Sequence, residues 1–184
     1  MPQIAFSAQD LTSRVHLYVD QQVTRQIVPS AGIIMTLQGI MIAPMKNCYE
    51  YIVPGDTSSL AAIRWVVTRI AAAAGWQGET LDEIELAVDE ACSNVLDHAY
   101  KHCSPKPPVL IVMKSAENTF TVDVIDEGEK LDWDAYSEPK FPDHWLEGNM
   151  RGAGLYIMNR CMDEVTYETL DDERNRMRMV KHKK

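Results

Sequence analysis

The sequence predicts an α+β protein, a two-layer α/β sandwich with helices on one face of a mixed sheet. Three observations carry that prediction. Two stretches with apolar residues at helical spacing, from about Ser59 to Ala74 and from about Leu81 to Lys101, follow one another closely. Two runs rich in Val, Ile and Thr, Val109–Lys114 and Thr119–Ile125, then read as a hairpin across Ser115–Asn118. A second strand pair, near Val165–Thr169 and Arg174–Val180, turns at Asp171-Asp172.

Each element has its own local reason. Cys48–Val53 is a short strand closed by the turn residues Pro54-Gly55. Asp56, Thr57 or Ser58 can cap the first helix and Gly75 ends it, with Leu60, Ile63, Val67 and Ile70 as its buried edge. Trp65 and Trp76 lie in and just after that helix, and the core is expected to take at least one of them. The second helix buries Ile84, Val88, Ala91 and Val95, and Pro105, Pro107 and Pro108 break it. Glu129 to Met150 is a long irregular connection carrying Trp133, Pro139, Pro142, Trp145 and Gly148, and connections that long usually serve function. A last helix follows Gly154, with Leu155, Met158 and Met162 at its apolar spacing.

The chain divides into residues 1–44, of unclear status, and a domain over 45–184. Gln9 to Val28 is amphipathic without clear caps. Ala31 to Met45 is apolar but interrupted by Thr36, Gln38 and Gly39, too short to span a bilayer. No basic segment with a long apolar core and cleavage site marks a secretory signal. The extension is expected to be either upstream sequence read through from an early start or a genuine segment packing on the sheet or a partner. The intact mass of the natively expressed protein separates these.

Composition narrows the function classes. Eighteen Lys and Arg against 27 Asp and Glu leave a net charge of −9, which argues against nucleic acid. The terminal Lys181-His182-Lys183-Lys184 reads as a solvated tail. Cys48, Cys92, Cys103 and Cys161 show no metal-binding spacing and suit small buried hydrophobes in a reducing cytosol.

Three short motifs carry chemistry. Glu90, Asn94 and His98 stand at four-residue steps in the second helix, so a carboxylate, an amide and an imidazole share one face. Glu and Asn oxygens together suit a divalent cation and phosphate. Asp126 ends a strand and is followed by Glu127-Gly128. Its carboxylate can accept from an exocyclic amine, and Gly128 lets backbone approach a ligand. Arg151-Gly152-Ala153-Gly154-Leu155 opens a helix, whose N-terminal N–H groups form a phosphate site. Neither a G-x-G-x-x-G fingerprint nor a G-x-x-x-x-G-K-[ST] loop is present.

Taken in order, Glu90-x3-Asn94-x3-His98-Ala99-Tyr100, Asp126-x-Gly128 and Gly152-x-Gly154-Leu155 resemble the N, G1 and G2 boxes of the GHKL (Bergerat-fold) ATPase superfamily. The short chain and its ending, Met162 to Tyr167 and Asn175 to Val180, are most similar to the bacterial anti-sigma-factor serine/threonine kinases. The resemblance covers about residues 46–182. It implies the Bergerat ATP-binding fold, ATP and Mg²⁺ as cofactors, and a cytoplasmic protein serine/threonine kinase. Its partners would be a sigma factor and an anti-sigma-factor antagonist, with no membrane or nucleic acid, and the family often forms homodimers.

By the same resemblance Glu90 is the general base and Asn94 the Mg²⁺ ligand. Asp126 reads adenine with Gly128 beside it, and Gly152, Gly154 and Leu155 belong to the phosphate-covering element. His98 matches a residue of the N box and is expected to pack, or to support the residues around the site, rather than catalyse. Glu129-Lys130 depart from the family, which often has another Gly or Pro there. This departure bears on turnover more than on nucleotide binding. A module with nucleotide-gated partner binding and little catalysis is the alternative.

Overall fold

The computed structural model describes residues 33–36, 39–42, 47–133 and 152–183. Its strands are β1 (Ile33–Thr36), β2 (Gly39–Ile42), β3 (Cys48–Val53), β4 (Val109–Ser115), β5 (Thr119–Asp126), β6 (Glu164–Thr169) and β7 (Asn175–His182). The helices are α1 (Leu60–Ala73), α2 (Glu79–Asn94) and α3 (Ala153–Cys161). The strands form one sheet in the order β1-β2-β3-β4-β5-β7-β6.

The sheet corrects one expectation. Every pairing among the described strands is antiparallel, so the sheet is not mixed. The physical reason is the connectivity. α1 and α2 make an out-and-back pair, so the chain leaves β3 at Val53 and re-enters the sheet with Val109 directly opposite it. A single crossover helix would have delivered a parallel strand instead. β5 and β6 do run the same way, but β7 lies between them and pairs antiparallel with both.

The sheet also extends further than the sequence suggested. No strand was expected between Ala31 and Met45, yet β1 and β2 form a hairpin whose second strand pairs with β3. Two of the residues that interrupt the apolar stretch bound its strands: Thr36 ends β1 and Gly39 begins β2. Apolar residues at consecutive positions hid the period-2 signal of a strand here. The amphipathic stretch Gln9 to Val28 lies outside the described residues, as do Pro139, Pro142, Trp145 and Gly148 of the long connection.

Helical and sheet layers meet in one core. The strands contribute Tyr51, Val53, Ile111, Met113, Phe120, Val122, Val124, Met177 and Met179. The helices add Ile63, Val67, Ile70, Ile84, Val88, Ala91 and Val95, which is nearly the pair of stripes that the sequence marks. Leu60 is only partly buried, because the chain enters α1 through a 3₁₀ turn at Thr57–Ser59 rather than directly. Asp56 caps that turn, accepting from the Ser58 N–H at 2.9 Å. Gly75 ends α1 at φ 88, a left-handed conformation suited to glycine. Trp76 is buried against Phe120, whereas Trp65 stays 47% exposed beneath the Arg69 guanidinium. Among the described residues no helix is long and apolar enough to cross a membrane.

Candidate functional site

α2 does not continue as a regular helix to Lys101. From Val95 to Ala99 it widens into a π turn, in which the Tyr100 N–H donates to the Val95 carbonyl at 2.9 Å. One residue is accommodated without advancing the helix, so the four-residue rhythm fails after Asn94. His98 is therefore exposed instead of sharing the face of Glu90 and Asn94. It is not packed in the core, as the packing role expected of it would require.

The wide turn has a use. It carries Ala99 and Tyr100 to the end of β5, where the Ala99 carbonyl accepts from the Glu129 N–H at 3.0 Å. The buried Tyr100 hydroxyl accepts from the Glu127 N–H at 3.3 Å and donates to the Pro108 carbonyl at 3.1 Å. Burial pushes the Tyr100 phenol well above its usual range, so it remains a donor at all ordinary pH. Gly128 is needed for this approach. A Cβ there would lie 2.6 Å from the Ala99 carbonyl oxygen and 2.7 Å from the Ala99 Cβ. Gly128→Ala should cost about 1–3 kcal/mol of folding stability through this overpacking, read as a lower denaturant midpoint at unchanged slope.

Asp126, 5% exposed, sits where β5 ends. Its Oδ1 accepts from the Gly128 N–H at 2.7 Å and from Asn175 Nδ2 at 3.1 Å. Asn175 Nδ2 also donates to the Gly128 carbonyl at 3.0 Å. Asn175 Oδ1 is buried without a partner among the described residues, and the bonds that Asp126 accepts there both go to its Oδ1. A buried acceptor without a donor, beside a carboxylate with one oxygen to spare, suits a ligand that brings N–H groups. Burial raises the Asp126 pKa, and the bonds from Gly128 and Asn175 partly oppose that rise.

Sequence reading assigned no role to Asn175. The signal was its phase: on β7 it alternates in step with Met177 and Met179, so a polar side chain points inward at the sheet's site end.

The third part is the start of α3. Gly152 precedes it at φ 82, a conformation costly for other residues, and no side chain caps the helix. Among the described residues nothing caps the first N–H groups of α3, which suit a ligand. Gly154 brings this end against α2: a Cβ on it would stand 2.9 Å from Glu90 Oε2 and 3.2 Å from Asn94 Nδ2. Leu155 is buried and anchors the turn from below. Glu90 and Asn94 make no hydrogen bond or ion pair with any described residue. Burial, with a smaller push from Asp89, raises the Glu90 pKa.

Comparison with known proteins identifies the family. Residues 53–181 match the pattern of the histidine kinase-like ATPase domain. The chain belongs to that family. It is 34% identical over 128 residues to serine-protein kinase RsbW of Bacillus subtilis strain 168, covering 66% of this chain and 79% of the relative. Similarity to the protein of the same name from Bacillus velezensis is 28% over 132 residues, covering 68% and 82%. For that from Halalkalibacterium halodurans it is 30% over 123 residues, covering 63% and 72%.

Membership in the histidine kinase-like ATPase family implies ATP binding, and homology to serine-protein kinases implies ATP-dependent kinase chemistry. Of the residues singled out in the sequence, Glu90, Asn94 and Gly154 meet directly, with Gly152 and Leu155 on the same helix start. Asp126 and Gly128 form a second cluster at the end of β5. These residues fit a nucleotide with its metal. A narrow cradle that any Cβ would fill lies beside an uncommitted carboxylate and amide, and an unpartnered buried acceptor, Asn175 Oδ1, stands at the sheet. Two further residues complete the arrangement, Asn175 and Tyr100.

Proposed function

We propose that this chain is an ATP-dependent protein serine/threonine kinase that phosphorylates an anti-sigma-factor antagonist and sequesters a sigma factor. The observation that carries the reading is the contact of Gly154 with Glu90 and Asn94. It sets an open helix N-terminus, a carboxylate and an oxygen-donor amide around one point, the set that phosphoryl transfer needs.

In this reading the N–H groups at the start of α3 hold the phosphates, and Asn94 holds Mg²⁺, which would neutralise phosphate charge. Asp126 and Asn175 orient the base through its amine. Glu90 takes the proton from a serine or threonine hydroxyl as that oxygen bonds to the terminal phosphorus and the bond to ADP breaks. The raised pKa of Glu90 suits it to hold that proton.

The test is incubation of the chain and the antagonist with Mg²⁺ and ATP labelled at its terminal phosphate. Phosphoserine or phosphothreonine on the antagonist is expected. One observation favours a second reading, a nucleotide-gated binding module with little turnover: the exposed Glu129 and Lys130 directly after Gly128, where the family often has Gly or Pro. ATP binding with no phosphorylated partner would turn the conclusion to that module.

A further inference from the structure

Lys181 is a buried cation that the chemistry above leaves unused. It is 5% exposed and lies on β7 in phase with Met177 and Met179, facing the helices. Its Nζ donates to the Cys161 carbonyl at 2.5 Å and pairs with Glu83 Oε2 at 2.7 Å. Cys161 is the last residue of α3, and Glu83 lies in the second turn of α2. One ammonium thus joins three elements.

The geometry of α2 gives this a purpose. Glu83, Glu90 and Asn94 are spaced by seven and four residues, so they share one helix face. At one end of that face Glu90 and Asn94 meet the start of α3, and at the other Glu83 reaches its end through Lys181. The two helices run antiparallel, and the nine residues of α3 span about 13 Å, so the two contacts hold the helix at both ends. Other bonds at this end grip only the chain beyond the helix: Asp163 N–H to the Val180 carbonyl, and His182 N–H to Asp163 Oδ2. Lys181 alone among the described residues holds the terminal carbonyl of α3 with a side chain, and a cation there complements the helix dipole. A buried charge costs free energy that an apolar residue of equal size would avoid, which suits a role in specifying position.

We propose that Lys181 is a positioning residue for the phosphate-binding end of α3, fixing the far end of the helix to Glu83 so that Gly154 stays registered on Glu90 and Asn94. The inference rests on the nucleotide site argued above.

The experiment measures Mg²⁺–ATP and AMP affinities by titration calorimetry on wild type, Lys181→Met and Glu83→Gln. ATP should weaken about tenfold in Lys181→Met and about threefold in Glu83→Gln, while AMP stays within about twofold in both. AMP keeps the base contacts of Asp126 but lacks the outer phosphates, so the ratio isolates the placement of α3. Equal loss of both nucleotides, or no change in either, overturns the proposal. If Lys181→Met does not fold, Glu83→Gln decides alone, since Glu83 is one-third exposed and tolerates the change. A wild type that binds neither nucleotide overturns the site itself, and this inference with it.

Discussion

Glu90→Gln should lower phosphoryl transfer to the antagonist by about 10²–10⁴-fold, the usual contribution of a positioned general base. The affinity for ATP should stay within about threefold of wild type. The substitution keeps the size of the side chain and its place beside Gly154, so the cradle for the phosphates survives. What it removes is the site for the departing hydroxyl proton. Single-turnover kinetics with labelled ATP, beside a binding titration, separates the two quantities. Parallel loss of both would make Glu90 a binding residue.

The pH dependence follows from the same group. Glu90 acts only when ionised, and burial raises its pKa. The rate should therefore rise with pH through the raised pKa and fall on acidification sooner than an ordinary carboxylate would dictate. The acid limb should vanish in Glu90→Gln.

Asp126→Asn should abolish measurable ATP binding while the protein stays folded. Alanine is the poorer choice, because it would strand the Gly128 N–H and Asn175 Nδ2, at about 1–3 kcal/mol of folding stability. Asparagine can keep Oδ1 as the acceptor for both. It replaces Oδ2 with an N–H₂ group, which meets the exocyclic amine donor to donor. A site built to receive an N–H rejects the mismatch by orders of magnitude, since its buried acceptors then go unpaired. Calorimetry with ATP reads the loss, and an unchanged thermal midpoint verifies the fold. Retained micromolar affinity would remove Asp126 from the base site. Protonation mimics part of this change, so wild-type affinity should also fall as pH drops through the raised Asp126 pKa.

Much of this architecture was legible one residue at a time. Cys48–Val53 was read with its observed ends, because a short strand bounded by Pro54-Gly55 leaves little choice. The stripe Ile84, Val88, Ala91 and Val95 is buried throughout, since a helix packed on a sheet must hide one edge. Asn175 was visible as a polar residue in an inward phase, but its meaning required Asp126, which lies 49 residues earlier. The π turn was not legible. Its wide hydrogen bond is favoured by what it meets, the β5 end gripped by Ala99 and Tyr100, and no local propensity announces it. His98, read as part of the Glu90 and Asn94 stripe, falls within that turn and is exposed.

By itself the sequence determined the order of helices and strands from Cys48 onward, most of the buried edges, and the three motifs that resemble those of the histidine kinase-like ATPases. Those properties follow from periodicity and local chemistry, which act over a few neighbouring residues. Only the tertiary structure decided that the described strand pairs are all antiparallel, that a hairpin before residue 45 joins the sheet, and that Lys181 ties α3 to α2. Each of these depends on which distant segments become neighbours. Packing of the whole core settles that, and the pattern within any one segment does not.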